Sequence, residues 1–271
     1  MKINKLLKYI CPYHWFKKNK KEIVFYGAYR YVDKINPIVN ASDIKRNWMQ
    51  KAKIDFDKKL LEKNMVQVTS GHRCLGINSL IKMGFVVKNE IEFAVETNGN
   101  DSEIKVHVNN GEISPTHSTI GESHIGFFDK DLMGDYTKPM GANKVLIKIH
   151  TPWYSTTPKD VVFIVLPINY SDDNRFMSST AIFDPALSPQ INIIIWWFVK
   201  EGYEVVKKGV PLAQLIPIQR NKLYDSWKMA DRVPDKLYDI MNIQDKIQVS
   251  SKCPYYSEYK KVSNEIFDIN I

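Results

Sequence analysis

The chain has few cysteines and no long hydrophobic run. Its three cysteines, Cys11, Cys74 and Cys253, are odd in number and far apart along 271 residues. They form neither a disulfide framework nor a zinc motif, and a reducing, cytoplasmic setting is the simplest match. The N-terminal stretch "MKINKLLKYICPYHWFKKNKKE" sets Ile3, Leu6, Leu7 and Ile10 on one helical face, with Lys2, Lys5 and Lys8 elsewhere. Its apolar run is too short and too interrupted for a signal peptide or a transmembrane segment. No internal repeat and no low-complexity tract occurs, which excludes a solenoid or a disordered scaffold.

What the chain does have is ordinary globular composition, 44% hydrophobic and 25% charged, with enough apolar residues for a core. Its formal charge of +8 is uneven. Residues 1–65 carry 16 Lys/Arg against 6 Asp/Glu, net +10, and the rest carries 22 against 24, net −2. The basicity belongs to an N-terminal arm. Such an arm is drawn to a polyanionic partner through counterion release and long-range attraction, although a lysine-rich solvated surface accounts for the same charge.

Residues 42–64 open with Ser42 and Asp43 as a cap and continue with good helix formers, which predicts a helix there. From about residue 66 short β-like runs alternate with Gly, Asn, Asp and Pro. They include "IEFAVE", "IKVHV", "KVLIKIH", "DVVFIVLPI", "INIIIWWFV" and "LAQLIPI". "IEFAVETNGNDSEIKVHV" predicts a β-hairpin. In "KVLIKIH", Val145, Ile147 and Ile149 alternate with Leu146, Lys148 and His150, as in a half-exposed strand. "INIIIWWF" is apolar on both faces and predicts a central strand. Many short strands without intervening long helices predict a mainly β fold, a twisted sandwich or β-clip-like barrel spanning about 66–220. Residues 1–65 form the arm with its helix. Residues 221–271, with Leu223, Trp227 and Ala230 at helical spacing, form a C-terminal helical extension packed on the β domain.

The motifs "RNWM" (46–49), "RCLGINSLIKMGF" (73–85), "SHIG" (123–126), "IHTPWYSTTP" (149–158), "KKGVPLAQLIP" (207–217) and "YDSWKMADR" (224–232), with "FDP" leading to "WWF" (183–198), resemble domain-of-unknown-function family 6065 of bacterial and phage proteins. That resemblance implies no known reaction and associates the chain with phage. More distantly, "AIFDPALSPQINIIIWWFVKEGYEVVKKGVPLAQLIPI" resembles trimeric dUTPases and the related deoxycytidine triphosphate deaminases. This implies a β-clip fold, a possible homo-oligomer with shared sites, and Asp184 at the catalytic-base position, activating water for attack on a nucleotide phosphate with magnesium. Gln214 falls in the closing strand. Leu187 stands in place of the tyrosine that stacks on the sugar, "SPQ" (188–190) replaces the expected turn, and "PINYSDDNRF" (167–176) lacks the phosphate-gripping Pro-Arg-Ser run. Catalysis of this type rests on positioning and charge stabilisation around phosphate, so these departures predict a retained fold without the chemistry. Gly209 in the Lys-Gly turn then serves a hairpin and Asp184-Pro185 caps a turn.

Histidines at 107, 117, 124 and 150, with Asp129, Asp131 and Asp135, invite a metal reading. His124 and His150 are the candidate ligands, as in a non-haem iron oxygenase. A hydrogen-bonded structural histidine is the plainer role. Arg73 and Cys74 sit together, but a buried thiol is the simpler expectation because no oxyanion loop accompanies them. Trp196 and Trp197, adjacent on a strand, must face opposite sides. Arg73, Trp153, Trp197 and Gln214 are the candidate binding residues. The cofactor is unknown from sequence. The favoured function is a non-enzymatic binding or assembly protein, virus-encoded and acting in the host cytoplasm or virion. A nucleotide hydrolase or an iron oxygenase is the alternative.

Overall fold

The computed structural model describes residues 22–63, 71–108, 111–113, 124–128 and 138–220. The arm at 1–21, the extension at 221–271 with Leu223, Trp227 and Ala230, and Cys11, Cys253, His117, Asp129, Asp131 and Asp135 lie outside the described residues. The chain divides into two compact units, Met1–Lys45 with Ile81–Leu223 and Arg46–Leu80 with Tyr224–Ile271.

The described part of the first unit is mainly β, in three antiparallel sheets with no closed barrel among the described residues. Sheet A contains β1 (Val24–Gly27), β8 (Leu146–Thr156), β12 (Gln190–Trp197) and β10 (Phe176–Ser178) in that order, and β7 (Ile125–Phe128) also pairs with β8. Sheet B runs β11 (Ala181–Phe183), β9 (Val161–Leu166), β14 (Pro211–Gln219), β3 (Phe85–Lys88) and β2 (Val39–Asn40). Sheet C runs β13 (Glu201–Val206), β4 (Phe93–Asn98), β5 (Ile104–Val108) and β6 (Gly111–Ile113). Strands β1 and β2 precede residue 66, and Phe25 of β1 packs edge-on against Phe85 at 5.1 Å.

The period-two alternation of β12 explains its central position. Ile191, Ile193, Ile195 and Trp197 point into one core shared with Ile147, Ile149 and Trp153 of β8, Phe163 and Leu215 of sheet B, and Val95 and Val206 of sheet C. Trp196 points the other way and packs with Ala142 and Leu146 in a second cluster. The two tryptophans therefore face opposite sides, as adjacent strand residues must. The β4–β5 hairpin also forms as its sequence predicts. Gly99 takes φ +86° in its turn, and Asn98 Oδ1 accepts the Asn100 N–H at 3.0 Å.

The Lys-Gly turn differs from the expected hairpin. Strand β13 pairs with β4, whereas β14 pairs with β3 and β9, so the turn at Gly209 (φ +85°) carries the chain from sheet C into sheet B. Strands β3 and β4 make the same passage alongside, in the opposite direction. A bend there strands carbonyls that a continuous ladder would pair. Asn89, fully buried, satisfies them: its amide donates to the carbonyls of Ile91, of Val206 at 3.3 Å and of Lys207 at 3.1 Å. Its backbone N–H donates to Val210 O at 2.7 Å, and Asn36 Nδ2 donates to Asn89 O at 3.1 Å. No local sequence pattern separates a bend between sheets from a hairpin, because both use glycine with positive φ.

In the second unit, the helix expected at 42–64 begins at Asn47 and runs to Lys63 as α2. Residues Ala41–Asp43, which belong to the first unit, form a separate 3-10 turn, because Asn40 pairs with Phe85 of β3 and the Ala41 N–H donates to Gly84 O at 3.0 Å. Ser42 and Asp43 are thus held to the sheet before helix geometry starts. Phe56 of α2 is buried, with His72 edge-on at 5.3 Å and the Arg73 guanidinium 5.1 Å above its ring. Cys74 is exposed rather than buried. It follows the 3-10 turn Gly71–Arg73, whose Gly71 O accepts the Cys74 N–H at 3.2 Å, and no core residue covers the thiol.

Candidate functional site

The face of sheet A turned away from the main core carries the groups with chemical capacity. On β8 this face presents Lys148, His150, Tyr154 and Thr156, all partly or well exposed, because Ile147, Ile149 and Trp153 take the inward positions. The pairing of Ile125 with Ile149 sets His124 opposite His150, and the His150 N–H donates to His124 O at 2.8 Å. On the other side of β8, Asn192 of β12 pairs with His150. Three side chains on neighbouring strands, His124, His150 and Asn192, therefore stand abreast in one row. Farther along the face, Tyr26 of β1 pairs with Tyr154.

Burial lowers the His150 pKa, Lys148 and then His124 lower it further, and the Asn192 amide opposes them. These effects favour the neutral imidazole, in which one ring nitrogen carries a lone pair. The His150 ring leans over Gly126: a Cβ on that glycine would stand 3.4 Å from His150 Nε2. Asn192 Oδ1 is shielded from solvent, and the Asn192 side chain lies close enough to His150 to act on its pKa. Among the described residues no three His, Cys, Asp or Glu side chains gather as a metal-binding group.

The other predicted site residues are dispersed and largely occupied. Asp184 Oδ1 accepts the Ala186 N–H at 3.1 Å, and Oδ2 accepts from Arg220, whose guanidinium holds the carboxyl below the usual range. Leu187 N and Ser188 N both donate to Asp184 O, so this residue organises its turn. Gln214 is fully buried in β14 and donates to Met83 O at 2.6 Å. Trp153 and Trp197 belong to the core. Arg73 lies in the other unit, over Phe56. Arg175, in the loop that lacks a Pro-Arg-Ser run, is clamped to Asp173 by Nε at 3.0 Å and Nη2 at 2.8 Å. Its Nη1 donates to Glu204 at 3.3 Å and to Val205 O at 2.7 Å. Such a guanidinium is already committed to β13.

A charged clasp joins three loops of the same unit. Asp101 accepts from Lys200 Nζ at 2.6 Å and Lys138 Nζ at 3.0 Å, and Lys200 and then Lys138 lower its pKa. A folded-state pKa below the unfolded value of about 4 gives stability that is complete above pH 4 and is lost as pH falls through the folded value. Asp101→Asn should therefore lower the melting temperature at pH 7, where the partly exposed clasp contributes under about 1 kcal/mol. The difference from wild type should vanish near pH 2. A difference that persisted there in a calorimetric pH series would assign the effect to packing instead.

Sequence reasoning missed a second group on the surface. Tyr26, Tyr29 and Tyr31 are exposed at 39%, 44% and 48%. Arg30 and Lys34 stand 4.8 and 5.3 Å from the Tyr31 ring centroid. Tyr31 caps the short helix α1 (Val32–Ile35) with φ 70°, a left-handed conformation uncommon for a tyrosine. Tyr29 donates to Glu90 at 2.6 Å, and burial and then Glu90 push its pKa up to about 12. The aromatic and basic alternation in "YGAYRYVDK" is the signal that would have found this group.

No helix among the described residues is long and apolar enough to cross a membrane. No protein-family model and no curated protein matches the chain. Among solved structures the native EIAV dUTPase is a weak neighbour, covering 51% of this chain and 93% of its own, with 12% identity and a TM-score of 0.27.

Proposed function

We propose that the protein is a non-enzymatic binding or assembly protein whose β platform presents a basic N-terminal segment to a polyanionic partner. The observation that carries this reading is the exposed cluster of Arg30, Tyr31 and Lys34. It follows closely on residues 1–21, which hold seven lysines and no acidic residue. Cations supply sequence-independent attraction to phosphates, and exposed tyrosines supply faces on which bases stack. The occupied state of Asp184, Gln214 and Arg175 supports a binding role over phosphate hydrolysis. A virus-encoded origin is the setting taken from the phage resemblance.

The test is fluorescence anisotropy of the full chain with a labelled single-stranded oligonucleotide, titrated across salt. Wild type should bind with affinity that falls steeply as salt rises. Replacing Lys17, Lys18, Lys20 and Lys21 with glutamate should weaken binding about 100-fold or more at 0.1 M salt and flatten the salt slope by roughly 3–4. Tyr31→Ala should weaken it by about 1–3 kcal/mol at an unchanged slope. Equal binding by the lysine variant, or none by wild type at low salt, removes the proposal.

A further inference from the structure

The geometry points to a surface site for a divalent transition metal of the zinc class, held by the imidazoles of His124 and His150 with the amide oxygen of Asn192. The row exists because β7, β8 and β12 are neighbours in register: His124 faces His150 across one side of β8, and Asn192 faces it across the other. Adjacent strands lie about 4.8 Å apart, so side chains of this length from the two flanking strands can lean over the middle one. Two imidazoles are a donor set suited to zinc, copper or nickel, and a carbonyl oxygen completes a three-point protein site with one position left open.

Two features favour a metal over a purely structural row. Asn192 Oδ1 is an acceptor withdrawn from solvent and lacks a hydrogen bond, so a cation would satisfy it. Position 126 is glycine on the same face, two residues from His124, and the absent side chain leaves the His150 ring its space. The exposed side of the row, at His124, gives an ion direct entry from solvent. Lys148, partly exposed on the same face, is the nearby cation that opposes binding.

The probe is zinc itself, titrated calorimetrically into the full chain and repeated as a melting-temperature shift. Wild type should take up one zinc per chain and melt higher with zinc. His124→Ala and His150→Ala should each weaken binding at least tenfold, since even outer partners of metal ligands cost 10–100-fold. Asn192→Ala should weaken it less. Gly126→Val, which keeps all three ligands but crowds the His150 ring, should also weaken it, whereas His107→Ala should bind as wild type because His107 is already paired with Glu96 at 2.8 Å. Should His150→Ala fail to fold, His150→Gln preserves the side-chain volume and is expected to lose zinc equally. No stoichiometric uptake by wild type overturns the site. So does unchanged binding in the His124/His150 double variant, which would place the metal at other groups such as His72 and Cys74. Nucleic-acid binding plays no part in these readouts, so the two proposals fail separately.

Discussion

Gly84→Ala should lower the melting temperature of the chain by about 6–12 °C, a loss of roughly 3 kcal/mol or more at 2–4 °C per kcal/mol. Two costs coincide at this position. Gly84 has φ +71°, and a Cβ built there would stand 2.1 Å from the carbonyl oxygen of Leu215, a backbone atom of the central strand β14. A flexible side chain would yield to that contact, but Leu215 is tied through β14 to both β3 and β9. The Gly84 carbonyl also accepts the Ala41 N–H, so displacing the loop strips a hydrogen bond from the start of the 3-10 turn. Gly99→Ala is the matched comparison. Its φ is +86°, yet nothing lies within 4 Å of the added carbon, so it carries the backbone strain alone, about 1 kcal/mol. Thermal melts of the two variants separate conformational strain from close approach. Equal losses would show that the contact at Leu215 relaxes freely.

Trp197→Ala should cost about 3–5 kcal/mol, because it removes the largest fully buried side chain among the described residues, on a strand between two neighbours in sheet A. Its ring lies parallel to Phe176 with centroids 6.3 Å apart, and Phe176 lines a cleft of about 330 Å³ beside Ile168, Met177, Phe198 and Leu212. Trp197→Phe should be much milder. The Trp197 Nε1–H has no hydrogen-bond partner among the described residues, so phenylalanine removes an unsatisfied buried donor along with the lost apolar area. Chemical denaturation of both variants decides this. A phenylalanine variant as damaged as the alanine one would mean that the indole N–H is satisfied in solution.

The strands could be read directly from the chain, for a definite reason. In β12 the inward set Ile191, Ile193, Ile195 and Trp197 and the outward set Asn192, Ile194 and Trp196 differ by one residue, so period two alone assigns the faces. The β4–β5 hairpin was equally legible, because Asn98 and Gly99 carry their own turn geometry. The helix start was not. Ser42 and Asp43 are good caps locally, and the pairing of Asn40 with β3 overrides them. Cys74 was expected inside because free cysteine is usually buried, and only the path of the Gly71–Arg73 turn leaves it outside.

The candidate site divides in the same way. His124 and His150 stand out as residue types, but 25 residues separate them, and nothing in their spacing pairs them. Asn192 attracts no attention in "INIIIWWF" until the register of β12 on β8 places it beside His150. The Lys-Gly turn followed by "VPLAQLIP" signals two strands, but which sheets they join depends on Asn89 and Asn36, more than a hundred residues earlier. The sequence by itself determined the mainly β class, the faces of the strands and the basic character of the N-terminal segment, because alternation, turn chemistry and charge are local properties. Tertiary structure decided the three-sheet arrangement, the bend at Asn89 and the row His124–His150–Asn192. Those depend on which strands become neighbours and in what register, a choice made by long-range burial and not by any segment alone.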